Sequence, residues 1–194
     1  MFRIFRKYNQ TDIATTDNLP SEPLQKISTK EDEIIEPADA LKEKIVSLGD
    51  SPAEFSANLL SFLAKEKDLS QGIFFNTVTR EGKNFLKYLA GYAFDKEDTS
   101  DIEIEFGEGF TGQAAADMKP MIISDVPEGY LSIVSGLGKA KPASVIIVPL
   151  IYNKNVVAVI ELASFHSFTA EDESYFKEIA SYAATHFKKI RTKR

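Results

Sequence analysis

Ser144-Val-Ile-Ile-Val-Pro-Leu-Ile-Tyr-Asn-Lys-Asn-Val-Val-Ala-Val-Ile-Glu-Leu-Ala163 decides the fold class of this 194-residue chain. Ser144 to Leu150 is one continuous apolar run, Val156 to Ala163 is a second, and Asn153-Lys154-Asn155 lies between them. Runs of this length, rich in Val and Ile and divided by turn residues, predict two strands in the interior of a sheet. A connection that short joins only antiparallel neighbours. Glu161 is the one charge in the second run. A carboxylate on a central strand is expensive unless it is paired or faces a polar site. Ile160 and Leu162 take the opposite face of the strand. Two readings stay open for Glu161: a structural bond to backbone, Lys or Tyr, or a place in a pocket wall.

Upstream of that hairpin, residues 125–143 read as a long loop containing Gly129, Gly136, Gly138 and Pro142. Pro120 to Ser124 reads as a short strand and Phe110 to Met118 as a short Ala-rich helix. Ile102, Ile104 and Phe106 alternate with Glu103 and Glu105, which predicts a strand with one wet face. Residues 71–79 and 84–94 are rich in Phe, Tyr, Ile and Val, and Arg80-Glu81-Gly82-Lys83 between them predicts a second hairpin. Leu41, Ile45 and Leu48 share one helical face, which Gly49 ends. Ser51-Pro52-Ala53-Glu54 opens another helix, with Ser51 as cap, Pro52 in the first position and Glu54 completing a capping box. Phe55, Leu59, Phe62 and Leu63 form its buried face. Downstream, Thr169 caps a long final helix with acids in its first turn and bases near its end, which suits the helix dipole at both ends. Strands joined mostly by turns, with helices collected around them, give an α+β class with an antiparallel sheet.

Composition narrows the function. The chain has 43% hydrophobic residues, 14 Phe and 7 Tyr, enough for a sizeable core. It has no Cys, which excludes disulfides, thiolate metal sites, Cys nucleophiles and thioether-linked chromophores. With only His166 and His186, a His-based zinc site or a Ser-His-Asp triad has little material. No run approaches the ~20 apolar residues of a membrane-spanning helix, and the start of the chain lacks the features of a secretory signal, so a cytoplasmic location is expected. Residues 9–37 are polar, with Pro20, Pro23, Pro37 and the acidic run Glu31-Asp32-Glu33, and residues 1–37 read as a flexible arm. Met1 to Tyr8 mixes Phe2, Ile4 and Phe5 with three bases, which suits a disordered start or a weak membrane contact. The net charge is −6 with a basic tail over 191–194, and no basic stripe with interleaved aromatics points to nucleic acid.

Gly107-Glu-Gly-Phe-Thr-Gly112 has the spacing of a dinucleotide fingerprint. That reading needs a buried parallel strand and a full crossover helix. Here the strand alternates with glutamates and Pro120 cuts the helix short, so the glycines are expected to serve a tight strand-to-helix turn. An anion near Thr111 and Gly112 is the alternative, opposed by Glu105 and Glu108.

The series from Gly107 through Pro120 to Ile122-Ile-Ser-Asp-Val-Pro-Glu-Gly-Tyr130 resembles the middle of a GAF domain. Ser135-Gly-Leu-Gly, Val145-Ile-Ile-Val-Pro-Leu and Val157-Ala-Val-Ile-Glu-Leu-Ala-Ser resemble its last strands, and Phe168-Thr-Ala-Glu-Asp-Glu its terminal helix. The match spans roughly residues 50–188, and a GAF domain is expected over 38–190. The resemblance implies a six-stranded antiparallel sheet of GAF/PAS-like form with helices on both faces. The terminal helices pack on one face, and a ligand pocket lies on the other under loops and a short helix. Asp125, Glu128 and Tyr130 then sit on the roof. Phe75, Phe106, Ile123, Ile133 and Pro149 line the floor or are simply core. Thr111, Gln113 and Glu161 complete the candidate set, and Asp125 has turn capping as its other reading.

The resemblance also implies a non-catalytic sensory or regulatory module, binding an unidentified small ligand and no fixed cofactor, in bacterial signalling. The GAF-like enzyme to consider reduces free methionine sulfoxide through a Cys this chain lacks. A hydrolase built on Asp125, Glu128 and Glu161 is the remaining catalytic alternative. Phe176, Ile179, Ala183, Phe187 and Ile190 form one stripe on the final helix, flanked by Tyr175 and Tyr182. A second stripe with the 41–48 helix suits a homodimer or packing within the chain, and a signalling protein is a further expected partner. The competing view is an interaction scaffold whose pocket is filled.

Overall fold

The hairpin quoted above is the centre of the sheet. In the computed structural model, which describes residues 37–94, 102–135 and 138–192, its strands are β7 (Ser144–Tyr152) and β8 (Asn155–Ser164). The turn has two residues: Asn153 and Lys154 both have positive φ, 47° and 61°, and Asn155 already belongs to β8. Two successive positive φ values match the twist of the flanking strands. The other hairpin, β1 (Gln71–Arg80) and β2 (Lys83–Tyr92), is closed the same way by Glu81 and Gly82.

These four strands, with β3 (Glu103–Glu105) and β4 (Met121–Ile123) at the edges, form a six-stranded sheet in the order β3-β2-β1-β8-β7-β4. Every pairing is antiparallel. The expected α+β class and the antiparallel six-stranded sheet are therefore found, with helices α1 (Pro37–Val46), α2 (Pro52–Lys67) and α4 (Ala170–Thr192) on one face and α3 (Gly109–Asp117) on the other.

The apolar runs are continuous because both faces of β7 and β8 are covered. Ile146, Val148, Ile160 and Leu162 join Phe74 and the helices, including Phe55, Phe176 and Phe187. Val145, Ile147 and Val159 join Ile73, Phe75, Ala114 and Ala115 on the α3 side. Local signals set the helix starts. The Glu54 amide donates to Ser51 Oγ at 3.2 Å, and Glu54 Oε2 accepts from the Asp50 amide at 3.4 Å. Before α4, Thr169 and Asp172 exchange bonds, Asp172 N to Thr169 Oγ1 at 3.2 Å and Thr169 N to Asp172 Oδ2 at 3.0 Å. Lys67 bonds the same Asp172 at 2.8 Å, which with the Thr169 bonds holds its carboxyl below the usual range.

Three readings change. The segment expected as a plain loop contains a small hairpin, β5 (Ile133–Ser135) paired with β6 (Gly138–Ala140). Its three-residue strands are too short for periodicity to reveal. The strand read over 102–106 is regular over Glu103–Glu105, and at its ends the Ile102 carbonyl and the Phe106 amide still bond β2. Arg191, read as the start of a tail, lies in the last turn of α4 and bonds to the sheet. The arm expected over 1–37 lies, except for Pro37, outside the described residues, as do tail residues 193–194.

Candidate functional site

Strand β8 places Glu161 on the face away from the three large helices, between Ile73 of β1 and Ile147 of β7 in register. Apolar neighbours on both sides and 6% exposure leave the carboxylate without water. Two hydroxyls replace it. Thr111 Oγ1 donates to Glu161 Oε2 at 2.5 Å, and the Tyr130 hydroxyl donates to Oε1 at 3.2 Å. The hydroxyls are 3.3 Å apart. Burial pushes the Glu161 carboxyl up, and the two hydrogen bonds pull it part of the way back. Burial, and then the charge of Glu161, push the Tyr130 phenol above its ordinary value.

The glycine motif explains how Thr111 reaches the sheet. Gly107 and Gly109 have φ of 91° and 58°, which turns the chain from β3 into α3. A Cβ on Gly112 would stand 2.3 Å from the Glu105 carbonyl oxygen, so only glycine lets the first turn of α3 lie against β3. The Gly107 amide donates to the Gly112 carbonyl at 2.7 Å and closes the turn. Glu108 precedes the helix, and its Oε2 accepts from the Glu105 amide at 3.0 Å. That carboxylate turns back toward β3 and makes no bond to the first turn of α3, so the arrangement is that of a strand-to-helix turn.

Beside Glu161, a crevice lined by Gln71, Gly72, Ile73, Leu131 and Ala163 is too narrow to admit a water molecule. Gln71 is 4% exposed, and its Oε1 has no hydrogen-bond partner among the described residues. A buried acceptor left unpaired carries a penalty of about 1–3 kcal/mol. Gln71, Leu131 and the spacing role of Gly112 were not singled out from sequence. A polar residue opening an otherwise buried strand was the available signal for Gln71.

The other sequence candidates divide into two groups. Phe75, Ile123 and Ile133 are buried in the apolar cluster around the Glu161 face, Phe106 packs against it, and Pro149 is buried opposite Val159. Tyr130 also meets Phe110 edge-on, with ring centres 5.3 Å apart. Gln113 instead bonds Asp117 at 2.9 Å, one turn along α3, because it points away from the sheet. Asp125 is fully exposed, 3.9 Å from Lys141, and Glu128 is exposed. The structure therefore brings Thr111, Tyr130 and Glu161 together and leaves Gln113, Asp125 and Glu128 outside. Among the described residues no cluster of three His, Asp or Glu side chains is placed to hold a metal, and no helix is long and apolar enough to cross a membrane.

Comparison with known proteins agrees with this architecture. The GAF domain family model matches residues 49–188. No curated protein matches the chain. Among solved structures, the GAF domain of a phosphoenolpyruvate-protein phosphotransferase from Coxiella burnetii superposes with a TM-score of 0.65 at 16% identity, covering 80% of this chain and 95% of that one. The free methionine-R-sulfoxide reductase of Neisseria meningitidis, solved with its substrate, gives 0.61 at 22% identity, covering 79% and 87%. A methyl-accepting chemotaxis protein segment gives 0.59 at 14% identity, covering 78% and 96%. At these identities the likeness is one of fold.

Proposed function

This chain belongs to the GAF domain family, and on that premise we propose that it is a non-catalytic sensory module whose small-molecule site centres on Glu161. GAF domains are often regulatory, and the solved neighbours include domains of a phosphotransferase and a chemotaxis protein. The observation that carries the reading is the buried acceptor pair: a Glu161 carboxylate held by Thr111 and Tyr130, beside a Gln71 oxygen without a partner. A ligand that brings hydrogen-bond donors satisfies both. To enter, it displaces Leu131 and Tyr130, which belong to the segment between β4 and β5. That movement converts occupancy into a change of shape, and occupancy biases the two states by its difference in affinity for them.

Neither Thr111 nor Glu161 is exposed enough in the closed form to meet a substrate, and the chain has no Cys for thiol reduction. These support a binding role in place of catalysis. The homodimer proposed for α1 and α4, a signalling partner, bacterial signal transduction and a cytoplasmic location belong to the same reading. Exposed Val46 at the end of α1 suits a partner helix.

The test is a thermal-shift screen with free amino acids, cyclic nucleotides, short carboxylates and haem. A ligand at one hundred times its Kd adds about 2.7 kcal/mol, or roughly 5–10 °C in Tm for a chain of this size. The shift should disappear in Tyr130→Phe combined with Gln71→Leu. Sedimentation at several concentrations tests the dimer. A second reading, an interaction scaffold with a filled pocket, is favoured by the crevice that admits no water. It expects no shift with any compound and a concentration-independent dimer.

A further inference from the structure

A large concavity lies at the helix-bearing end of the sheet, away from the crevice beside Glu161. It is a groove of about 1030 Å³ between the first turn of α2, the last turns of α4 and the ends of the two long hairpins. Its size is that of a small-molecule site.

The groove has a polar end and an apolar floor. At the polar end, Arg191 Nη1 bonds Asn76 Oδ1 at 2.7 Å and the carbonyls of Thr77 and Val157 at 3.1 and 3.3 Å. Those three acceptors fix the plane of the guanidinium, and its other nitrogens have no partner among the described residues. Lys188, one turn earlier on α4, is half-buried in the wall, and its ammonium has no ion pair there. Because Asn76 accepts through Oδ1, its side-chain amide NH₂ is left to donate. Asn84 accepts from Thr79 Oγ1 at 2.7 Å and is left in the same condition. Ala53, in the first turn of the 16-residue helix α2, lines the groove, and its amide is not taken by the Ser51 cap. Glu54, the nearest acid in that turn, points to the Asp50 amide. No Asp or Glu lines the groove, in a chain whose net charge is −6. Leu89, Tyr152 and Val156 supply the floor.

Every free polar group named is a donor, two are cations, and the guanidinium is held rigid. Several converging donors suit an anion with several oxygens, and Arg, Lys and helix-start amides are the groups that bind phosphate. The apolar floor suits an organic body attached to it. We propose that this groove is a second ligand site, separate from the Glu161 site, that binds a small organic phosphate with its phosphoryl group at Lys188 and Arg191.

The experiment titrates the full chain with ribonucleoside mono- and diphosphates, sugar phosphates, inorganic phosphate and citrate. Binding is followed by calorimetry and by ³¹P line broadening at two salt concentrations. At least one organic phosphate should bind, more weakly at higher salt and more tightly than inorganic phosphate or citrate. Lys188→Glu should weaken it about tenfold or more, the loss of one charge-assisted contact. Lys188→Arg should restore it, and the charge-matched change Lys119→Glu, at an exposed position just after α3 on the opposite face, should leave it unchanged. Lys188 is half-exposed, so circular dichroism should show these variants folded. The proposal is overturned if no organic phosphate binds, if citrate binds as tightly, or if Lys188→Glu binds as the parent does.

Discussion

The two faces of one sheet are built on different physical terms. The helix-covered face is an apolar core in which Phe55, Phe74, Phe176 and Phe187 are fully buried and interlocked, with Phe74 and Phe187 ring centres 5.0 Å apart. The α3 face is also apolar, with Phe75, Ile147 and Val159 buried beside Ala114 and Ala115, but sets among them a carboxylate, two hydroxyls and an unsatisfied amide oxygen. The first face gains stability from area and packing. The second tolerates polar groups that cost stability and that a ligand can relieve. The stable face carries the other as a scaffold.

The comparison can be broken most severely on the helix side. Phe187→Ala should lower unfolding free energy by about 3–5 kcal/mol, since it opens a cavity in a dry core. Urea unfolding measures this, and a loss below about 1 kcal/mol would mean that the helices do not form the rigid face. On the other side, Thr111→Val keeps the shape and removes one donor from Glu161. The expected loss is about 1–3 kcal/mol, from a buried carboxylate left short of a partner. A neutral result would show that water or a mobile Tyr130 already serves Glu161.

A pH series sharpens the contrast. Glu161 has a folded-state pKa above its unfolded value. Between the two values the folded chain binds more protons than the unfolded one, so this group's contribution falls as pH rises through the window and is complete below it. Glu161→Gln should flatten the decline in stability on going up from the ordinary carboxylate range, measured by urea unfolding at successive pH values. Asp172 has the opposite sign: its lowered pKa gives stability that is present above the ordinary range and lost in acid. The smallest effect belongs to a local signal outside both faces. Ser51→Ala removes the cap of α2 and should cost about 1 kcal/mol in thermal unfolding.

Much of the fold was legible because its determinants are local. Asn153-Lys154 and Glu81-Gly82 mark turns whatever surrounds them, and Ser51 and Thr169 cap helices with atoms three residues away. Val- and Ile-rich runs predicted the buried strands by composition alone. The site was legible in part. Glu161 stood out as a charge in an apolar run, with Tyr among its anticipated partners, and Thr111 and Tyr130 were named for other reasons. Gln71 was missed because its unsatisfied state depends on what fails to reach it, which no pattern encodes. Gln113 and Asp125 had suitable chemistry in the right segments, and only the direction of α3 and of the following loop turns them to solvent.

The sequence by itself determined the order of elements, the antiparallel hairpins, the apolar faces and the absence of thiol chemistry. Each of these follows from residue type and from neighbours within a turn. Tertiary structure alone decided that Thr111 meets Glu161 across 50 positions and Tyr130 across 31. It also decided that Arg191 is pinned to Asn76 across 115. Such pairs depend on the closure of the sheet and the approach that Gly112 permits, and a chain read residue by residue carries no record of the distances that folding makes short.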